Sequence, residues 1–291
     1  MHEMQLPISR RSLAIAAGIV GTLSLAIGAH AALSIRSLDA ARAVATEQAV
    51  APSNGQAKLA LVIGNGHYPD AGEPLAQPIN DARSLSQSLR HDGFEVDVVE
   101  DATKDDMSRA IARLKGKIKT DSVVMLFFGG YGVQAGGESY MIPVDAAIWR
   151  ESDVRRDGLG IEAVLNVMKQ RGAHARLVVI DASRRNPYER RFRTFSRGLA
   201  PINASDNALI LTSAAPGEVA DDSKEQNSVL MAELLNNLNA QATGAETVFN
   251  KTRVAIARSS DGEQVPSVSS SLCADVQLVM DTDRSAEPAG N

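Results

Sequence analysis

Three side chains with the chemistry for nucleophilic attack or proton transfer follow apolar segments of the chain: His67, Tyr131 and Ser183. A serine hydroxyl attacks a carbonyl group only when a neighbouring base removes its proton. Free histidine titrates near pKa ~6.5 and suits that task, whereas free tyrosine, with a pKa of ~10, is almost entirely neutral at pH 7. His67 is therefore a possible substitute base for Ser183, and a solvated loop histidine is the more ordinary interpretation of that residue.

These residues lie where a parallel sheet would bring them together. The apolar runs end at Ile63, Phe128 and Ile180, and a loop rich in glycine or polar residues follows each run. Short continuous apolar runs of this kind are typical of parallel strands buried on both faces. Because ligands bind outside the carboxyl ends of such strands, we expect the three loops to meet at one edge of the sheet.

Strands and helices alternate along the chain. This alternation predicts an α/β domain with a mostly parallel sheet of about six strands and helices on both faces. The predicted strands are 59–63, 94–99, 123–128, 177–180, 209–211 and 276–279. The predicted helices are 81–90, 104–118, 161–168, 228–238 and 246–257.

Several motifs follow one another in a distinctive order. They are Val62-Ile-Gly-Asn65, Asn80-Asp-Ala-Arg83, Leu126-Phe-Phe-Gly-Gly-Tyr-Gly-Val-Gln134, Tyr140-Met-Ile-Pro-Val-Asp145, Val179-Ile-Asp-Ala-Ser-Arg-Arg-Asn-Pro187, Ala215-Pro-Gly-Glu-Val-Ala-Asp221, Asn227-Ser228 and Gln264-Val-Pro266. In this order, from about Lys58 to Val279, the chain resembles the bacterial caspase-like peptidases of the metacaspase and orthocaspase family. The resemblance implies a caspase–hemoglobinase-like fold.

Two positions depart from the pattern of that family. The catalytic histidine of the family falls on Tyr131, and its catalytic cysteine falls on Ser183. The resemblance implies a degenerate catalytic dyad here, because neither tyrosine nor serine titrates near neutral pH as the dyad requires. The backbone N–H groups of Gly132 and Ser183 are the candidates for an oxyanion hole.

Two acidic residues are candidates for substrate binding. In metacaspases, the acid two residues before the nucleophile and the acid of the Asn-Asp motif help to bind a basic side chain; the matching positions are Asp181 and Asp81. The alternative is that these carboxylates cap helices or bond to the loop backbone.

Three functions are compatible with this pattern. The favoured one is a catalytically impaired pseudo-peptidase that binds a peptide or protein containing basic residues. The second is an active endopeptidase that cleaves after Arg or Lys with Ser183 as its nucleophile. The third is a structural scaffold module without a peptide pocket.

Composition narrows the range of partners and cofactors. The net charge is -5 and no strong basic block is present, which argues against nucleic acid as a partner. The only cysteine, Cys273, permits no internal disulfide or cysteine-rich metal site, and we expect it to be buried. No metal-binding residues are assigned, and calcium is a cofactor that only the family resemblance suggests.

The first segment predicts export. Arg10 and Arg11 precede a charge-free run, rich in Ala, Leu, Ile and Gly, that ends at Ile35 and contains Ala29-His30-Ala31, a typical cleavage site. Residues 1–31 are thus a twin-arginine-like export signal, or alternatively an inner-membrane anchor if uncleaved. We expect a periplasmic or secreted protein with a linker at 32–57, a caspase-like domain at 58–280 and a disordered tail at 281–291.

Overall fold

The structure is a computed structural model that describes residues 56–70, 74–192, 197–220, 225–238, 244–274 and 276–278. The predicted export segment, the linker up to residue 55 and the predicted tail lie outside these ranges. Within them, no helix combines the length and the apolar character needed to cross a membrane.

The described residues form nine strands and six α-helices. The strands are β1 (Lys58–Gly64), β2 (Glu95–Glu100), β3 (Val123–Gly129), β4 (Gly132–Ala135), β5 (Glu138–Met141), β6 (Leu159–Gly160), β7 (Ala175–Asp181), β8 (Ala208–Thr212) and β9 (Ser267–Ser270). The helices are α1 (Gln77–His91), α2 (Lys104–Lys117), α3 (Glu151–Asp157), α4 (Ile161–Gln170), α5 (Val229–Leu238) and α6 (Ala245–Ser259).

The main sheet has six strands in the order β2-β1-β3-β7-β8-β9. The first five are parallel, and β9 pairs antiparallel to β8 at the edge. Helices α1, α5 and α6 pack on one face of this sheet, and α2 and α4 pack on the other. This confirms the prediction of an α/β domain with a mostly parallel sheet of about six strands and helices on both faces.

The apolar runs explain why the central strands are buried so completely. Every residue of β3 and of β7 is buried. Side chains alternate along a strand, so Met125 and Phe127 join one core whereas Leu126 and Phe128 join the other. A run that is apolar on both faces therefore fixes a strand with helices on either side.

The sixth strand is not the one predicted from the sequence. Residues 276–279 were expected to form it, but the described part of this segment makes only an isolated bridge between Gly244 and Gln277. Val276 and Leu278 are buried in the core beside α6, so packing rather than sheet pairing accounts for their alternation. Strand β9, Ser-Val-Ser-Ser, lacks an apolar run because it is only partly buried at the edge of the sheet.

Two further features differ from expectation or were missed. Cys273 is exposed rather than buried, and its backbone N–H donates to Asn207 Oδ1 at 2.8 Å. A second sheet, with the order β4-β5-β6, follows β3 directly and is antiparallel. Its strands have four, four and two residues, too few for a clear periodicity.

Candidate functional site

The loops that follow β3 and β7 lie side by side at the carboxyl edge of the sheet. Gly130 N–H donates to Asp181 O at 3.2 Å, and Gly132 N–H donates to Ala182 O at 3.0 Å. These bonds place the loop containing Tyr131 against the loop containing Ser183, as the parallel sheet predicts. After β3 the chain continues as Gly130 and Tyr131, and after β7 it continues as Ala182 and Ser183.

Tyr131 packs into an apolar cluster beside this edge. Its ring meets the ring of Tyr68 edge-on, with centroids 4.9 Å apart and an interplanar angle of 64°. The cluster also contains Ile142 and Tyr188, and Tyr131 is 8% exposed. Tyr68 Oη accepts a hydrogen bond from Tyr131 N–H at 3.1 Å and donates one to Ile142 O at 3.0 Å.

The phenols of Tyr68 and Tyr188 keep their protons near neutral pH. Burial raises the pKa of Tyr68 far above its ordinary value, despite hydrogen bonds that act in the opposite direction. Burial is also the largest cause that raises the pKa of Tyr188 to about 12. Neither phenol can therefore take the place of a catalytic histidine near neutral pH.

Gly130 allows this arrangement. Its φ is +154°, and a Cβ atom added to it would lie 2.5 Å from Tyr68 Oη and 3.0 Å from the Phe128 ring. A side chain at this position would force the tyrosine away from the turn. The glycine before Tyr131 is thus required by the close approach of Tyr68.

Ser183 is buried without a base. The residue is 1% exposed, and its Oγ has no hydrogen-bond partner among the described residues. The hydroxyl of Tyr131 therefore makes no hydrogen bond to it, although the two loops are adjacent. A serine in this state is not activated as a nucleophile.

The two N–H groups proposed for an oxyanion hole already have acceptors. Gly132 N–H donates to Ala182 O, and Ser183 N–H donates to Ser213 Oγ at 3.3 Å. An oxyanion would have to compete with these acceptors. The bond from Ser183 is the longer of the two, so Ser183 N–H would be redirected more easily.

His67 is held by a carboxylate on the neighbouring loop. His67 Nδ1 lies 2.6 Å from Asp101 Oδ2, and Asp101 Oδ1 accepts the backbone N–H groups of Gly66 and His67, both at 2.9 Å. Burial opposes ionisation of Asp101, but these hydrogen bonds outweigh it and lower its pKa. The His67 side chain is 64% exposed, and it makes no hydrogen bond to Ser183.

Asp81 lies on α1 and is buried against the residues that precede α5, and its two carboxylate oxygens differ in their hydrogen bonds. Oδ1 accepts hydrogen bonds from Asn227 Nδ2 at 2.8 Å and Ser228 N–H at 3.0 Å. Oδ2 is buried and has no hydrogen-bond partner among the described residues. One oxygen thus holds the helix start, as the alternative interpretation of Asp81 expected, and the other is buried without a hydrogen bond from the described residues.

Asp181 has the same kind of unpartnered oxygen. It is 4% exposed, and its Oδ2 has no hydrogen-bond partner within the described ranges. Its Oδ1 lies 3.8 Å from Arg184 Nη1. Arg184 Nη1 also donates to Asp181 O and to Gly130 O, the latter at 3.0 Å, so this arginine fastens the two loops together.

The charge of Asp181 acts on the carboxyl group of Asp81. Burial and the nearby charge of Asp181 raise the pKa of Asp81 to about 6, although hydrogen bonds from Asn227 and Ser228 oppose this rise. A carboxyl group in this state changes charge just below neutral pH. No group of three or more His, Cys, Asp or Glu side chains suited to a metal ion occurs in the part of the chain that the structure describes.

Three residues of the site were present in the sequence motifs without an assigned role. Arg184 binds the carbonyl groups of two loops, and Asn227 and Ser228 position Asp81. The sequence signal for these residues was their position in the motifs, with Arg184 directly after Ser183 and the other two in the Asn227-Ser228 pair. Their function depends on contacts with residues far away in the chain, which the motifs alone do not give.

The fold and this site define a caspase-type domain, and sequence comparison agrees. Residues 57–277 match the family model of the caspase domain, Peptidase_C14, so the chain belongs to that family.

Among curated proteins, the chain is similar to human mucosa-associated lymphoid tissue lymphoma translocation protein 1, with 29% identity over 133 residues. The mouse homolog of that protein is equally similar, with 29% identity over 133 residues. The aligned region is 45% of this chain and only 16% of each relative, so the chain spans a small part of their length.

Proposed function

We propose that this domain is a catalytically impaired pseudo-peptidase that binds a peptide or protein through a basic side chain. The observation that carries the proposal is the pair of buried carboxylate oxygens, Asp81 Oδ2 and Asp181 Oδ2, without hydrogen-bond partners among the described residues. Asp181 ends β7 directly before the loop of Ser183, and Asp81, on α1, is close enough for the charge of Asp181 to act on it.

The chemistry of these oxygens favours a cationic ligand. A buried acceptor without a partner is unfavourable by about 1–3 kcal/mol, and by more when it is charged. A guanidinium group offers several N–H donors in a planar fork and forms charge-assisted hydrogen bonds with carboxylates. An arginine side chain would satisfy both oxygens, and a lysine ammonium would do so as a more compact charge.

The surroundings of Ser183 support loss of catalysis. Its Oγ lacks a base within hydrogen-bond distance in the described structure, and the Tyr131 side chain packs in the apolar cluster with Tyr68. Neutral phenol and neutral alcohol groups supply neither an activated nucleophile nor the base that would activate it.

Binding and turnover of matched peptides test the proposal. Purified domain is titrated with acetylated tetrapeptide amides ending in arginine, lysine, alanine or citrulline, a neutral analogue of arginine. Arginine and lysine peptides should bind more tightly than the other two, and Asp181→Asn should reduce that preference at least tenfold. Asp206 forms an exposed ion pair with Lys169, so Asp206→Asn is the control and should leave binding unchanged.

Turnover separates the remaining alternatives. Fluorogenic amides ending in arginine or lysine should not be cleaved, with or without calcium. Cleavage that is lost in Ser183→Ala would instead establish a serine peptidase. Equal affinity for arginine and citrulline peptides would leave the scaffold module as the function.

A further inference from the structure

The two oxygens of the Asp81 carboxylate have separate surroundings. Oδ1 is fixed by the start of α5 through Asn227 and Ser228. Oδ2 is buried and has no hydrogen-bond partner among the described residues. A proton or a ligand's cation can therefore be received at Oδ2 while Oδ1 keeps the position of the side chain.

The charged groups around Asp81 are unevenly distributed. From β7 comes Asp181, and from the loop after it comes Arg184, whose Nη1 lies 3.8 Å from Asp181 Oδ1. The start of α5 contributes the neutral Asn227 and Ser228, and α1 itself contributes Ser84, which accepts a hydrogen bond from Asn227 at 3.3 Å. Among the described groups, the arginine is paired with Asp181 and none of the cations is paired with Asp81.

A buried pair of carboxylates with one cation beside it does not favour two negative charges. Like charges in a buried site raise the pKa of one partner, and burial adds to the effect. Asp181 has Arg184 beside it, so Asp81 is the member that takes up the proton. The pKa of Asp81, raised to about 6 mainly by burial and then by Asp181, agrees with this geometry.

We propose that Asp81 exchanges a proton for the cation of the ligand, so that the basic side chain displaces the proton from Oδ2 when it binds there. This inference rests on the proposed function and adds a regulation to it. The step is balanced, because one monovalent cation enters and one proton leaves to solvent. Ligand affinity is then linked to pH through one named residue.

Calorimetry of peptide binding tests the exchange. The acetylated tetrapeptide amide ending in arginine is titrated into the domain at pH 5, 6 and 7.5, in two buffers of different ionisation enthalpy at each pH. Because only the ionised carboxylate receives the cation, the affinity should fall about tenfold from pH 7.5 to pH 5. At pH 6 about half a proton should be released for each peptide bound.

Two variants and one spectroscopic measurement identify the residue. Asp81→Asn should bind more weakly, with an affinity independent of pH and no proton release. Histidine is the side chain that ordinarily changes charge in this pH range, so His67→Gln is the control. This variant should keep the pH dependence of the natural protein. If Asp81→Asn binds too weakly to measure, NMR of the natural protein replaces it. The ¹³C carboxyl shift of Asp81 should then titrate near pH 6 without peptide and at least one pH unit lower with saturating peptide.

The outcomes separate this inference from the proposed function. Tight arginine-selective binding with the same affinity at pH 5 and 7.5 would overturn the exchange and leave the proposed function intact. Loss of the pH dependence in His67→Gln would likewise overturn the role of Asp81. Failure of arginine and lysine peptides to bind at any pH would end both.

Discussion

The ring of Tyr131, in the loop that follows β3, packs edge-on against the ring of Tyr68, with centroids 4.9 Å apart and an interplanar angle of 64°. Tyr68 Oη accepts the N–H of Tyr131 and donates to Ile142 O, so the contact is fixed by hydrogen bonds as well as packing. The side chain that the family resemblance aligns with the catalytic histidine is thus part of an apolar cluster. This relationship bears on both activity and stability.

Restoring the two missing groups should create activity. The double variant Tyr131→His, Ser183→Cys should cleave arginine- and lysine-terminated fluorogenic amides, for which we expect no cleavage by the natural protein, because it supplies a titrating base and a thiol. The rate should be modest, since imidazole leaves part of the space of the phenol empty and Gly132 N–H donates to Ala182 O. Initial rates against active-site concentration measure the gain.

Each single change should stay near background, because nucleophile and base act as a unit. Tyr131→His with Ser183→Ala is the matched control and should be inactive. A folded double variant that binds peptide and never cleaves it would show that the oxyanion donors, and not only the dyad, have been lost.

Asp81→Asn should stabilise the ligand-free domain near neutral pH. The pKa of Asp81 is raised from 3.8 to about 6, so the native carboxyl holds its proton more tightly than the unfolded one. Its stabilising contribution is complete below pH 3.8 and is lost as pH rises through about 6. Asparagine removes that loss, which is at most about 3 kcal/mol at pH 7.5.

Urea denaturation at pH 4 and pH 7.5 measures this difference. The variant should exceed the natural protein in free energy of unfolding at pH 7.5, and the two should converge at pH 4. Asp206→Asn should show no such pattern. A variant that is less stable than the natural protein at pH 7.5 would mean that the ionised carboxylate contributes more through Asn227 and Ser228 than burial removes.

Tyr68→Phe should destabilise the domain by about 1–3 kcal/mol. Removing Tyr68 Oη takes away the acceptor of the buried Tyr131 N–H, whereas Ile142 O keeps the hydrogen bond that Asn65 Nδ2 donates to it at 3.2 Å. Tyr140→Phe is the matched control, because Tyr140 Oη donates only to the carboxylate of Glu138, at 2.7 Å. Thermal unfolding with circular dichroism would detect the difference, and equal melting temperatures would contradict the role given to Tyr68.

Export should remove the first segment of the chain. Cell fractionation followed by N-terminal sequencing should find a species beginning near Ala32 outside the cytoplasm. Replacing Arg10 and Arg11 together by lysine should retain the full-length protein in the cytosol, whereas replacing Lys58 by arginine should not. Full-length natural protein found only in the cytosol would rule out export.

Much of the fold was determined by the sequence itself. The continuous apolar runs ending at Ile63, Phe128 and Ile180 predicted strands that the structure contains, because a segment without a polar face must be covered on both sides. The absence of histidine and cysteine at 131 and 183 was equally visible, since it depends only on residue identity.

Tertiary structure decided what local patterns could not. The sixth strand is Ser267–Ser270 rather than 276–279, because an edge strand with little burial carries little apolar signal. The sequence offered two roles for Asp81, a ligand contact or a structural bond, and the structure places the structural bond on Oδ1 and leaves Oδ2 unpartnered. That division depends on Asn227 and Ser228, which lie 146 and 147 positions along the chain from Asp81. Contacts over such separations arise only when the whole sheet and its helices are assembled.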